Sequence, residues 1–517
     1  MNMTNDIQTN KRKAAGGLWD LAYCLVAALV IMLICTRSSP LYPFNNWDDT
    51  NSYFTVGKSI FKGLVPYRDL FDQKGPMHYF LYAIASLISY NSFTGVFIIE
   101  LIAAAAMIGG IIRILELYLT REVSMILAAV TAALVYSSRA FWWGGSAEEM
   151  LLPFLVWGLY ISMRYFRERY PMAMSRRDLV TGGILAGCVL NIKFSSLGFY
   201  FAWMLMVLIA DLVRGKESLG AKLLVCIRHG LLFLLGMLIA TIPWIIYFAI
   251  NGAVMDWLYV YFYLNIFVYS EKLPIAERLI NMLKVLYFHS LDNPGSGLTA
   301  IAGGAAFLLF KGRVIEKVNV LMQAIFLVLV IYIGGVKLPY YYLPVCTFTV
   351  LAALAVGRAY TAIVGTVARG IPMGISSISR FCLPLFAMIA SAIISTSMSM
   401  NISFMKYHKD DLWMYHFARI IEESGIEDPT LLNVQCFDAG LYTTTGIVPT
   451  CRFFQTQTIN LTDVEEVQWD YIRNGRTDFV LSRNGDPEHI YEQYELIASE
   501  DLEWEGEVNT YLLYSKK

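Results

Sequence analysis

Apolar runs recur along most of this chain, near 18–36, 94–118, 123–138, 148–164, 179–194, 196–213, 230–250, 298–311, 319–335, 341–358 and 381–399. A helix of about 20 residues crosses a hydrocarbon core roughly 30 Å thick, and most of these runs approach that length. Lipid offers no hydrogen bonds, so each backbone N–H and C=O inside such a run must be satisfied within the segment, which restricts it to a helix. The pattern predicts an α-helical polytopic membrane protein with about eleven transmembrane helices over residues 1–399. Composition agrees: 57% of residues are hydrophobic and 16% charged, against roughly 45–50% and 25% in soluble domains. The shorter apolar stretch 77–90 reads as a helix lying in the interface, with a twelfth span as the alternative.

Loop charges set an expected orientation. Lys11, Arg12 and Lys13 precede the first run. Later basic clusters are Arg164/Arg167/Arg169/Arg176/Arg177, Arg214/Lys216/Lys222/Arg228, Lys311/Arg313/Lys317 and Arg358/Arg369/Arg380. All fall on one side of the predicted spans, and the positive-inside rule makes that side cytoplasmic. An odd number of spans then puts the C-terminus outside, in a plasma membrane. The N-terminal run is too long for a cleavable signal and lacks a small-residue cleavage site. Trp257, Tyr259, Tyr261, Phe262, Tyr263 and Tyr269 in the outer loop 251–297 suit a helix at the membrane surface.

Polar, mixed-charge sequence begins near Asn401. A helical period over Asp411–Glu423 and short strands at Leu431–Val434, Asp478–Leu481 and Tyr511–Tyr514 predict a soluble extracytoplasmic α/β domain over 400–517, long enough for a core of its own. No nucleotide-binding glycine loop, CxxC or HExxH pattern occurs, so a structural zinc site is not expected. Six of the eight cysteines sit in or beside apolar runs, and Cys436 and Cys451 of the tail are the one pair open to a disulfide. With a net charge of -1 and no basic tail, no nucleic-acid partner is expected.

The chemistry-bearing residues cluster in the first outer loop, 37–76. Asp48 and Asp49 come first, then Arg68, Asp69, Asp72 and Lys74, the last at the Lys74-Gly75-Pro76 step back into apolar sequence. Charge is costly to hold at a membrane, so such a loop points to a working site. Moving a sugar from a phosphate to a hydroxyl with inversion needs one base and cationic cover for the phosphate that leaves. Asp48 is the candidate base and Asp49 its partner for orientation or metal binding. Lys74 and Arg68 are candidate phosphate ligands. The bland alternative makes the acids the start of a helix and the cations interfacial anchors. Glu148 and Glu149, at the outer start of a span, either favour that helix end by its dipole or bind sugar, acceptor or a divalent cation such as Mg or Mn. Lys193 and Lys337, isolated at outer span ends, are equally open as phosphate contacts or anchors, and Tyr340, Tyr341 and Tyr342 as a sugar platform or an aromatic belt.

With these residues, the chain resembles the GT-C superfamily of polyprenyl-phosphate-sugar-dependent glycosyltransferases, in particular bacterial relatives of the protein O-mannosyltransferases and the lipid A aminoarabinose transferases. The likeness rests on Asp48-Asp49 after the first span, the Lys74-Gly75-Pro76 step, the wording Gly63-Leu64-Val65-Pro66-Tyr67-Arg68-Asp69, the acids Glu148 and Glu149, and Lys193. It extends in layout over roughly 18–360. The second acid is Asp where that family usually has Glu, and Gln73 stands where relatives often carry an acid or His. The resemblance implies a helical membrane core, interfacial helices in the first outer loop, a soluble outer domain and Asp48 as base. It implies a polyprenyl-phosphate-linked sugar as donor and a glycan, lipid or protein acceptor bearing a hydroxyl (or an amine-free phosphate). A transporter or flippase of lipid-linked sugars is the alternative. It would place polar residues at mid-membrane and show internal repeats, neither of which is evident. A membrane-anchored binding protein would leave the first loop unexplained.

Overall fold

The computed structural model describes residues 2–214, 218–270, 272–335, 337–367, 379–459, 461–504 and 507–517. Lys216 and Arg369 of the basic clusters lie outside them.

The apolar runs form helices. They are α1 (Asn2–Cys35), α4 (Thr94–Glu116), α5 (Arg121–Tyr136), α6 (Ala147–Arg164), α7 (Arg176–Lys193), α8 (Gly198–Val213), α9 (Leu219–Ile250), α12 (Pro294–Leu309), α13 (Val314–Tyr332), α14 (Val350–Val367) and α15 (Ser379–Met398). Not all of these are spans by length and composition. Among the described residues, six helical segments are long and apolar enough to cross a membrane, or seven if the pair Cys382–Met398 and Met400–Lys406, bent by 78°, counts as one. The difference from eleven arises because several runs are short or continue into a neighbour, as when α7 and α8 join into one 38-residue segment.

Packing within the bundle uses small residues. At the α7–α9 crossing, a Cβ on Gly183 would stand 2.0 Å from the Phe233 carbonyl oxygen, and one on Gly236 would stand 2.2 Å from that of Val180. The two backbones therefore touch directly, as small-residue interfaces in membranes allow. The basic loops gather at one end. Arg167 donates to the Leu117 carbonyl at 3.0 Å and covers the Tyr118 ring at 3.9 Å, and Arg313 donates to the Tyr170 carbonyl. Because α6 and α7 run between this end and Ala147 and Lys193, the first outer loop lies at the other.

Two short helices build that loop, α2 (Asp48–Ile60) and α3 (Pro76–Ile88). At 13 residues each, they span about 20 Å, too short to cross. The loop 251–297 folds as α10 (Val254–Val268) and α11 (Ile275–Asp292). One face of α10 is buried through Trp257 and Tyr261, while Tyr259, Tyr263 and Phe267 remain exposed.

The C-terminal region has more structure than its pattern suggests. Helix α16 (Trp413–Glu423) and strands β1 (Leu431–Asn433), β2 (Phe479–Arg483) and β4 (Glu507–Lys516) fall where expected. The helices α17 (Leu441–Thr445) and α18 (Thr462–Arg473) and strand β3 (Tyr494–Trp504) were not legible. The sheet order is β1-β2-β4-β3, with β1 and β2 parallel and the remaining pairs antiparallel. Cys436 and Cys451 are buried free thiols rather than a disulfide. The expected separate core is also corrected. A single buried cluster runs from Tyr42, Phe44, Phe54, Phe71 and Tyr82 of the first-loop region into Trp413, Phe454, Phe479 and Tyr514.

Candidate functional site

The N-terminus of α2 directs its two acids to different partners. Consecutive helical side chains point about 100° apart, so neighbours cannot share a face. Asp49 Oδ2 accepts from Tyr53 at 2.8 Å and from Tyr340 at 3.0 Å, and stands 4.0 Å from Lys74 Nζ. Asp48 Oδ2 stands 3.3 Å from Arg483 Nη1, at the end of β2. Among the described residues, Asp48 Oδ1 takes no hydrogen bond. Neither acid caps α2, whose N-cap is Trp47 with no side-chain cap. That removes the capping half of the bland reading, although the helix dipole still favours acids there. Burial raises the Asp48 carboxyl to about 6. Arg483 works against that rise, and Asp49 and Asp438 add to it.

Lys74 reaches the site through a close backbone approach. Gly75 N donates to the Ile192 carbonyl at 3.0 Å, and a Cβ on Gly75 would stand 2.2 Å from the Asn191 carbonyl oxygen. Only glycine fits there, and the contact sets Lys74 beside the C-terminus of α7, where Lys193 sits. Burial pulls the Lys74 ammonium down, but Asp49, Asp72 and Glu148 outweigh it and hold it above the usual lysine range. Lys193 pairs with the buried Glu148 carboxylate, and its Nζ lies 3.4 Å from the Tyr341 ring centroid.

Lys74 and Lys193 line a cavity of about 310 Å³ together with Arg278, Asn265, Tyr261 and Tyr341. Arg278 comes from the first turns of α11, where its Nε donates to the Leu273 carbonyl at 2.9 Å. Three cationic side chains from three separate elements thus converge on one cavity. A second, apolar cavity of about 480 Å³ lies farther along α11 and α13, lined by Met282, Leu286, Ala324, Val328 and Leu329. Met282 lies one helical turn beyond Arg278 on the same face of α11.

Several sequence candidates fall outside this arrangement. Arg68 pairs with Asp69 at 2.8 Å and donates to the Asn251 carbonyl at 2.6 Å, with 41% of its side chain exposed. Lys337 is exposed and does not line the cavity. Glu149 is turned away: it accepts from Gly145 N at 2.8 Å, while Ser146 Oγ accepts from Glu149 N at 2.9 Å, closing the first turn of α6. Its neighbour Glu148, about 100° round the helix, faces Lys193. Tyr340 and Tyr341 are buried against Asp49 and Lys193 instead of forming a lipid-facing belt.

The fit to a divalent cation is poor. Among the described residues no three His, Cys, Asp or Glu side chains gather in a metal-holding group. Ammonium groups stand beside both acids nearest the cavity's lysines, Lys74 by Asp49 and Lys193 by Glu148. Arg278 and Arg483 had no sequence signal. Arg278 lies in the largely apolar loop 251–297 and Arg483 in the polar tail, and each gains meaning only from the residue it meets in space.

No family model and no curated protein matches the chain. Solved structures do. The crystal structure of ArnT from Cupriavidus metallidurans bound to undecaprenyl phosphate superposes over 96% of this chain and 98% of that one, with a TM-score of 0.59 at 13% identity. Its apo state matches over 97% and 98%, with a TM-score of 0.60 at 14% identity. An Archaeoglobus fulgidus oligosaccharyltransferase in the apo form matches over 90% and 69%, with a TM-score of 0.46. These neighbours are GT-C glycosyltransferases. The chain shares the fold of ArnT over nearly its whole length.

Proposed function

We propose that this protein is a membrane glycosyltransferase that moves a sugar from a polyprenyl-phosphate donor to an acceptor hydroxyl, with inversion, at the extracytoplasmic face. The observation that carries this reading is the convergence of Lys74, Lys193 and Arg278 on one cavity next to Asp49 and Glu148, with an apolar cavity beyond it along the same two helices. Three fixed cations suit a phosphate, which spreads charge over several oxygens. The apolar cavity suits an isoprenoid tail. The ArnT structure of the same fold holds undecaprenyl phosphate, which supports a donor of that class.

In this reading Asp48 Oδ1 takes the proton of the acceptor hydroxyl as its oxygen attacks the anomeric carbon. The bond from that carbon to the phosphate oxygen breaks, and polyprenyl phosphate leaves under the cover of Lys74, Lys193 and Arg278. Because the transition state resembles an oxocarbenium ion, one carboxylate of moderate basicity suffices. Asp49, held by Tyr53, Tyr340 and Lys74, fixes the start of α2. Collection of the basic loops at the end of the bundle away from the site supports a cytoplasmic N-terminus and an extracytoplasmic C-terminal domain. The domain division at residues 399 and 400 is retained as a division of sequence, with the first loop and the tail acting as one unit.

The test is release of polyprenyl phosphate by the purified full chain in lipid nanodiscs, offered a panel of polyprenyl-phosphate-linked hexoses and pentoses. Release with one donor and dependence on Lys74 support the proposal. Neither binding nor release with any member would overturn it.

A further inference from the structure

Asp48 owes its surroundings to the far end of the chain. Arg483 lies 435 positions downstream and meets it at 3.3 Å. That contact sits at one end of a polar seam between α2 and the C-terminal domain. Ser52 Oγ donates to Gln455 Oε1 at 2.6 Å, Thr55 Oγ1 donates to the buried Asp438 Oδ2 at 2.6 Å, and Thr443 Oγ1 donates to Asn51 Oδ1 at 2.9 Å. The fully buried Lys58 donates to the Tyr442 carbonyl. Farther out, Arg452 donates to the Tyr67 carbonyl and Phe71 N to the Arg452 carbonyl, at 3.0 and 2.9 Å. Almost every turn of α2 is thus bonded to the domain, and a shared apolar core backs the seam.

We propose that Arg483 is a positioning residue for the transfer reaction, and that the C-terminal domain docks on α2 in order to bring it to Asp48. This rests on the reading of Asp48 as the base. The groups facing Asp48 are Asp49 on its own helix, Asp438 and Cys436 from the segment after β1, Arg483 on β2 and Tyr511 on β4. The three besides Arg483 and Tyr511 carry or develop negative charge, and Arg483 is the cation among the five. Arg483 engages Oδ2 and leaves Oδ1 free, so it turns one lone-pair-bearing oxygen toward the acceptor while keeping the group ionised. A guanidinium holds that geometry with little loss of rotamer freedom, and it stays charged at any working pH. A domain of this size is otherwise a costly way to present one side chain, and a seam of buried hydrogen bonds is the means by which its position is fixed to within the tolerance a base requires.

The experiment uses the full chain in lipid nanodiscs, with Arg483→Met, Arg483→Lys and the seam variant Ser52→Ala/Thr55→Val. Carbodiimide labelling of the Asp48 carboxyl is followed against pH by peptide mass spectrometry, alongside turnover against pH, the Kd for polyprenyl phosphate and the melting temperature. Removing a cation at this distance raises an aspartate by about one pH unit. In Arg483→Met the labelling midpoint and the acid limb of kcat should therefore move up together by about that amount, with Kd changed less than about twofold. Arg483→Lys should keep the midpoint close to that of the native chain, and the seam variant should show part of the Arg483→Met shift. An unmoved midpoint in a normally melting Arg483→Met protein overturns the proposal, as does an effect confined to Kd. An unmoved midpoint in the seam variant overturns the docking half of it. Should the native chain neither bind nor turn over any donor, the glycosyltransferase reading fails. The labelling midpoint still reports the Arg483–Asp48 link, so the two failures are told apart.

Discussion

Lys193 can be a phosphate ligand or simply the partner of Glu148, and a double-mutant cycle separates the two. Its partner carboxylate has 2% of its side chain exposed and Lys193 has 14%, so this is a buried pair. Removing one member of such a pair strands the other charge and costs about 3–5 kcal/mol. The lower end applies here, because Lys193 keeps some contact with solvent and shares its charge with the Tyr341 ring. Lys193→Met should thus cost about 3 kcal/mol, and Glu148→Gln a similar amount. The double variant leaves a neutral amide beside a thioether and should recover most of that, to a net cost of about 1 kcal/mol, a coupling of about 5 kcal/mol. Donor binding should behave otherwise. A charge-assisted contact to phosphate contributes about 1.5–3 kcal/mol, so losing it weakens Kd roughly ten- to hundredfold. Lys193→Met and the double variant should share that deficit, whereas Glu148→Gln, which frees Lys193 for the phosphate, should not show it. Stability is read from unfolding in detergent and affinity from titration with polyprenyl phosphate in nanodiscs. If the double variant regains donor affinity along with stability, Lys193 is only an ion-pair partner and the three-cation reading fails.

Asp48→Asn should lower turnover roughly 10²-fold or more with donor Kd unchanged, since only the base is lost. In the native protein the carboxyl sits at about 6, raised chiefly by burial, so kcat should fall as pH drops through about 6 and level off above it. Stability should run the other way: the raised carboxyl contributes most below the aspartate value in the unfolded chain, and that contribution is lost as pH rises through about 6. Arg278→Gln should weaken binding of polyprenyl phosphate by about tenfold or more without moving the acid limb, as titration at two pH values will show. Gly75→Ala must push the Asn191 backbone aside, which costs about 1–3 kcal/mol and moves Lys74 from its place, so melting temperature and donor affinity should fall together.

Membrane character was legible because lipid forces helices, and helices need long apolar runs. The first loop was legible because charge is costly where it sits, which sets Asp48, Asp49 and Lys74 apart in the sequence. What failed to show was pairing across distance. Lys193 and Glu148 were separate candidates with nothing in their spacing to join them, although they meet in the fold. Arg68 was a candidate phosphate ligand beside Lys74, yet Asp69 next to it takes its charge at the surface. Strand β3 was hidden because its apolar residues follow no strict alternation with its acids, and Leu496 and Ile497 stay exposed. The count of spans misled for a related reason: several runs owe their burial to neighbouring helices and fall short of the length that lipid alone would demand.

The deeper omission was the relation between the two ends of the chain. Read along the sequence, residues 37–76 are a loop and residues 400–517 a domain, and each seems to need a core of its own. In the fold they share one, because α2 is amphipathic in an unusual sense: one side carries Tyr53 and Asp49 toward the membrane bundle, and the other carries Ser52, Thr55 and Lys58 into the tail. No periodicity rule separates these faces, since both are buried and both are partly polar. A helix of this kind is legible only when its two partners are known, and here the partners are the cationic cavity on one side and Arg483 on the other. The first acid of the pair therefore takes its environment from the domain and the second takes its own from the membrane bundle. That division gives two adjacent aspartates different surroundings, with one oxygen of Asp48 on Arg483 and Asp49 tied to Tyr53, Tyr340 and Lys74.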